Sequence, residues 1–182
     1  YLVNIGKGEF GLSMRFKSEK SIDLIKARLP NSIKLASFAM LLSLLVSVPL
    51  GVFSAVKRDT PMDYFGKSVA LLGQSLPSFW LGLMLMWLFA VKLGWFPTSG
   101  TGAEEGPLTQ MKHMVLPAIT MGWFQVAAIL RLVRSSMLEV LDSEYVKLAR
   151  IKGIPEWKVI WKHCLRNAAI APLTYFAIIG VS

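Results

Sequence analysis

Charged residues drop out of this chain in long blocks. Leu35 to Val56 is 22 residues without a charge, between Lys34 and Lys57, and Ser68 to Val91 is 24, between Lys67 and Lys92. A bilayer core takes roughly 20 apolar residues as a helix, so each run predicts a membrane span. Two weaker runs follow, Met114 to Leu130 and Ala168 to Ser182. The expected architecture is all-α and polytopic, with spans over about 32–56, 68–91, 115–138 and 168–182. The last run stops at 15 residues and the chain opens on Tyr1, so the sequence reads as a fragment of a longer protein.

The joins between runs carry their own signals. Residues 1–31 are polar, with Gly6, Gly8, Gly11 and a short helical stretch from Ser21 to Arg28. Asn31, after Pro30, is the expected N-cap of the first span. Pro77 removes a backbone donor and predicts a kink in the second. GWFPTSGTGAEEGP, residues 94–107, reads as an exposed loop with Trp95 and Phe96 as interfacial anchors. The third span is expected to continue past Arg131 as a helix that leaves the membrane.

Composition agrees with membrane residence: 54% hydrophobic and 17% charged, against about 25% charged in soluble domains, with a mean hydropathy of +0.52. The net charge of +9 matters through its location. Loop 57–67 holds three Lys/Arg and loop 131–167 eight, against two in 92–113 with Glu104 and Glu105. Parity puts the first two loops on one side, and the inside rule makes that side cytoplasmic. The segment 1–34 opposes this with seven basic residues on the other side, so the count alone stands at 11 against 9.

Candidate chemistry is sparse. GKS at 66–68 resembles the tail of a phosphate loop, but Pro61 stands where that motif needs glycine and no strand precedes it. His113 and His163 are expected on opposite sides of the membrane, and Cys164 is the one thiol, so no metal site is expected. Gln74 and Gln125 place polar groups in hydrocarbon, where interhelical hydrogen bonding or a solute path is the use. No nucleophile–base arrangement and no intramembrane carboxylate pair is visible, so neither an enzyme nor a proton relay is expected.

The loop 142–167 is the informative stretch. Asp142 or Ser143 suits an N-cap, Glu144 the positive end of a helix, Gly153 a left-handed helix stop and Pro155 the first turn of a second helix. Ala149, Gly153 and Val159 fall at the spacing of a DNA-binding helix-turn-helix. The second helix argues against nucleic acid. Its expected apolar face is Trp157, Ile160, Trp161, Cys164 and Leu165, and its basic residues Lys158, Lys162 and Arg166 lack base-reading partners. It reads instead as a helix lying against the bilayer, facing lipid or a cytoplasmic partner.

EYVKLARIKG (144–153) followed by VIWKHCLRNA (159–168) resembles the cytoplasmic EAA loop of ABC-importer permeases, in the dipeptide, oligopeptide and nickel branch. LGQSLPSFWLGLMLMWLFAVKLGWFPTSG (72–100) and LPNSIKLA (29–36) are similar to further stretches of that branch, closest to the first of two permease subunits in a peptide importer. The resemblance implies an incomplete type I ABC-importer transmembrane fold, with 1–31 extracytoplasmic and 32–182 forming the permease domain. It implies further membrane helices before Tyr1 and after Ser182, and a bacterial or archaeal cytoplasmic membrane location.

For the coupling loop it implies a contact set of Glu144, Tyr145, Ala149, Arg150, Lys152, Gly153, Ile154, Pro155, His163, Arg166 and Asn167. Ala149 and Gly153 match the motif's small residues, expected to allow close helix approach; a large side chain at 153 is expected to splay the pair. Lys147 stands where the wider superfamily has Glu, and Arg166 where it often has Pro. Gln74, Pro77 and Gln125 are the pathway or helix-packing candidates. The implied partners are a homologous second permease subunit, two ATP-binding subunits, an extracytoplasmic solute-binding protein and membrane lipid. No cofactor is expected in this chain, ATP and Mg being bound by partner subunits. Peptide is the expected solute, with nickel or another small solute, an ion-driven carrier and a membrane-anchored DNA-binding protein as alternatives.

Overall fold

In the computed structural model, which describes residues 21–102 and 105–181, the first apolar run is part of a helix longer than the bilayer needs. This helix, α1, spans Ser21–Val56, 36 residues, or about 54 Å against a hydrocarbon core of about 30 Å. Asn31 is therefore not an N-cap: the helix runs through it, with Pro30 and Pro49 inside. A continuous helix keeps every other backbone group paired, and this outweighs the one bond that each proline removes. The glycines at 6, 8 and 11 and Glu104 lie outside the described residues.

The second run divides in two. α2 spans Pro61–Ser75, and α3 spans Ser78–Lys92, bent from α2 by 107°. Pro77 is the N-cap of α3 in extended backbone, φ −62° and ψ 133°. The expected kink is thus a full break: Leu76 is also extended, and the residue before a proline is driven out of helical geometry. α3 ends in π-helical bonding, where the Leu93 N–H reaches the Leu88 carbonyl at 3.0 Å.

α4, Pro107–Leu141, is the organising element. Along it, Ala39 of α1 meets Gly122 while Gly51 meets Val133, so α1 and α4 run parallel. α2 and α3 descend the same helix in the opposite sense: Asp63 meets Arg134, Gly73 meets Ala127 and Gly82 meets Thr120. The loop beyond continues the series, with Gly100 against His113. From Arg134 to His113 is about 32 Å of helix, roughly the thickness of a hydrocarbon core. The broken pair therefore tracks α4 across a membrane's depth. A Cβ on Gly51 would lie 2.8 Å from the Val133 side chain, so the parallel pair depends on small residues at its contact.

This register sorts the loops. Residues 57–60 and the chain beyond Leu141 lie at one end. The start of α1 and the 97–101 loop lie at the other, where Asn31, Ser32, Thr101 and His113 share a cavity of about 210 Å³. The end that carries the basic loops thus holds α5 (Glu144–Ile151) and α6, a helical segment over 156–168. α7, Ile170–Val181, returns along α4.

Candidate functional site

Local chemistry builds the α5–α6 hairpin. Ser143 is the N-cap residue of α5, with φ −74° and ψ 150°. Its hydroxyl donates back to the Val140 carbonyl at 2.6 Å instead of accepting from α5. Glu144 sits beside the positive helix end and pairs with Lys147 at 2.7 Å. At the far end Gly153 has φ +73°, its N–H donates to Arg150 O at 3.0 Å, and the Ile154 N–H reaches Ala149 O at 3.3 Å. These two bonds are the Schellman pair that closes a helix on a left-handed residue. Nothing lies within 4 Å of where a Cβ on Gly153 would point. Backbone conformation, and not the close approach expected from the sequence, is what requires glycine here. Pro155 is the N-cap of α6 in extended backbone, one position before its expected place, and Glu156 opens the helix.

Two side-chain contacts fasten the hairpin. Arg150 Nη2 donates to Glu156 Oε1 at 2.7 Å and Nε to Oε2 at 3.3 Å, across the turn. The Glu156 carboxylate raises the Arg150 pKa above its already high usual value, so the arginine stays charged. The Tyr145 hydroxyl and His163 Nδ1 are hydrogen-bonded at 2.7 Å, joining the start of α5 to the middle of α6.

The apolar face read from the sequence divides between the core and the surface. α6 has π-helical bonding over Val159–Cys164, with the Leu165 N–H on the Ile160 carbonyl. In a π turn residues five apart share a face, which brings Val159 and Cys164 inward, both fully buried, and leaves Trp157 and Trp161 exposed. Ile160 and Leu165 are half-buried. Val146 and Ala149 of α5 complete the inner face. All four pack into one core with Val52 and Ala55 of α1 and Ile129, Val133 and Met137 of α4. Burial pushes the Cys164 thiol pKa up. The outer face presents Tyr145, Leu148, Ile151 and Trp157, with Ile151 80% exposed. Lys147, Lys152 and Lys158 are exposed among them in sequence, and exposed apolar side chains grouped in this way mark a contact with protein or membrane. Arg166 and Asn167 are exposed farther along α6, and Ile154 is tucked against the core.

The other candidates separate. Gln74 accepts a hydrogen bond from Arg131 Nη1 at 3.3 Å, linking α2 to α4. Gln125 is half-buried on α4, and its side chain makes no hydrogen bond among the described residues. Gly66, Lys67 and Ser68 lie inside α2, a helix. His113 lies at the opposite end from His163, with Nδ1 2.9 Å from Thr109 O. It borders a cavity of about 330 Å³ with Met86, Thr98, Thr120 and Met121.

Sequence reasoning missed one cluster. Asp63 is fully buried and holds four partners. Arg134 donates through Nε at 2.7 Å and Nη2 at 2.9 Å, Ser54 Oγ at 2.6 Å, the Asp59 N–H at 3.1 Å, and Lys67 Nζ lies at 2.8 Å. The available signal was an acid four residues before Lys67 in a short loop, with Arg131 and Arg134 one turn apart on the third span.

Residues 47–181 match the family described as "Binding-protein-dependent transport system inner membrane component". Among curated relatives, the oligopeptide transport system permease protein AppB of Bacillus subtilis is 38% identical over 181 residues, covering 98% of this chain and 57% of that protein. The dipeptide transport system permease protein DppB of Alkalihalophilus pseudofirmus is 35% identical over 195 residues, with 96% and 58% covered. The oligopeptide transport system permease protein OppB of Salmonella typhimurium is 37% identical over 183 residues, with 100% and 58% covered. The chain thus spans less than two thirds of the length of these relatives.

Proposed function

Since this chain belongs to the family of binding-protein-dependent transport inner-membrane components, we propose that it forms the permease part of an ATP-driven peptide importer. The carrying observation is the α5–Gly153–α6 hairpin: its outer face is exposed and apolar, while its inner face shares a core with α1 and α4. Such a hairpin couples a cytoplasmic partner to the membrane helices. The relatives' names, which specify oligopeptides and dipeptides, support peptide as the solute.

In this reading two ATPase subunits, which bind ATP and Mg, close on nucleotide and carry the hairpin with them. The chain's own residues do three things. Tyr145, Leu148, Ile151 and Trp157 seat the partner; the Schellman turn and the Arg150–Glu156 pair hold the hairpin's angle; Val146, Ala149, Val159 and Cys164 pass its displacement to α1 and α4. A homologous second permease subunit completes the path, and an extracytoplasmic binding protein delivers the peptide. ATP can shift the access equilibrium only by binding one state better than the other, and the hairpin is where that difference enters this subunit.

Gly153 supplies the test. A β-branched or bulky residue at φ +73° costs about 1–2 kcal/mol, whereas Asn tolerates that conformation. In reconstituted complexes Gly153→Trp is expected to lose peptide uptake while remaining in the membrane, and Gly153→Asn to retain it. Uptake by Gly153→Trp at the wild-type rate, with ATPase subunits still co-purifying, would contradict the assignment.

A further inference from the structure

The Asp63 cluster lies beside the coupling core but belongs to none of the contacts just described. Its four partners come from separate segments: Ser54 near the end of α1, the Asp59 backbone in the connecting turn, Lys67 in α2 and Arg134 in α4. The turn itself is held in an unusual state, since Asp59 is the one described non-glycine residue with positive φ, +60°. Its N–H bond to Asp63 fixes that conformation.

Stability alone does not account for a charge at this position. Desolvating a carboxylate is costly, and buried ion pairs seldom outperform apolar side chains of equal volume. Apolar packing is available next to it: Val52, Ala55 and Val133 form the adjoining core. What the ion pair adds is direction. The two arginine donors engage both carboxylate oxygens in a fork, which fixes the rotation and sliding of α4 against α2. Ser54, on the same Oδ1, extends that constraint to α1.

Arg134 lies seven residues before the end of α4 at Leu141, about 10 Å along the helix, in a stretch without Gly or Pro from Trp123 onward. Asp142 and Ser143 alone separate α4 from α5. Displacement of the hairpin therefore enters a stiff rod within two turns of the clamp.

We propose that Asp63 and Arg134 are positioning residues for coupling: they lock the cytoplasmic ends of α1, α2 and α4 into one block, so that motion of the α5–α6 hairpin moves three helices together. The inference rests on the transport reading, and one experiment separates the two. Wild-type, Arg134→Lys and Asp63→Asn complexes, with their ATPase and binding-protein partners, are reconstituted in vesicles; ATP hydrolysed and peptide imported are measured per assembled complex. Lysine keeps the charge but loses the fork. The variants are expected to assemble and to raise the ATP spent per peptide by about 2- to 30-fold, the range of mutations that alter coupling between distant sites. Lys67→Gln, which removes a more exposed partner, gives a smaller rise and serves if Asp63→Asn does not assemble.

A merely structural cluster would lower both activities in proportion to assembled complex and leave the ratio unchanged; that result overturns the proposal. If the wild-type complex imports no peptide with ATP and binding protein present, the transport reading fails and takes the proposal with it.

Discussion

Gly153 and Cys164 show how much a single position settles. The glycine's left-handed backbone closes α5 and sets the angle at which α6 departs; no neighbouring atom crowds it. The sequence made Gly153 legible as a helix stop because few other residues adopt that conformation. It could not distinguish a backbone requirement from a packing one. Cys164 is fully buried between the hairpin and the α1–α4 core, and that burial pushes its thiol pKa up. In folded membranes it is expected to resist maleimide, and to react once detergent and denaturant open the core. Rapid labelling of the native protein would mean that the hairpin does not pack as described. Asp63 is the contrasting case: an ordinary loop aspartate in sequence, it becomes a four-partner anchor only when a helix 71 residues away arrives.

At the scale of elements, the apolar runs were readable and their ends were not. Both long runs lie in helices, but α1 is already helical at Ser21, well before the uncharged run opens at Leu35, because helix continuity overrides the local signals of Pro30 and Asn31. The second run was expected to kink at Pro77 and instead turns through 107°, since Leu76 and Pro77 both leave helical backbone. α6 was read with an α-helical period. Its π stretch, invisible to that periodicity, turns Val159 and Cys164 into the core and leaves Trp157 and Trp161 on the exposed side. In the proposed coupling, the two-residue α4–α5 junction passes the hairpin's displacement to α4. Inserting two glycines between Leu141 and Asp142 is expected to leave ATP hydrolysis by the assembled complex in place and abolish most peptide uptake, because the rod no longer follows the hairpin. Unchanged uptake would show that the load travels through the α1 contacts alone.

Over the whole molecule, the parallel α1–α4 pair and the returning α2–α3 track make the two ends unlike. One carries the basic loops, the Asp63 clamp and the hairpin; the other carries the 94–102 stretch, His113 and the cavities beside it. The charge count left the orientation open at 11 against 9; the helix register, like parity, places the loops around 57–67 and 131–167 at one end. Family membership adds that the family is one of inner-membrane components.

The most direct measurement is uptake of labelled peptide by vesicles holding the complete complex, with nickel uptake measured in parallel. Peptide accumulation that requires both ATP and the binding protein, exceeds nickel accumulation, and disappears with Gly153→Trp is the predicted result. Peptide uptake that persists without ATP, or that is indifferent to the change at Gly153, would contradict the account.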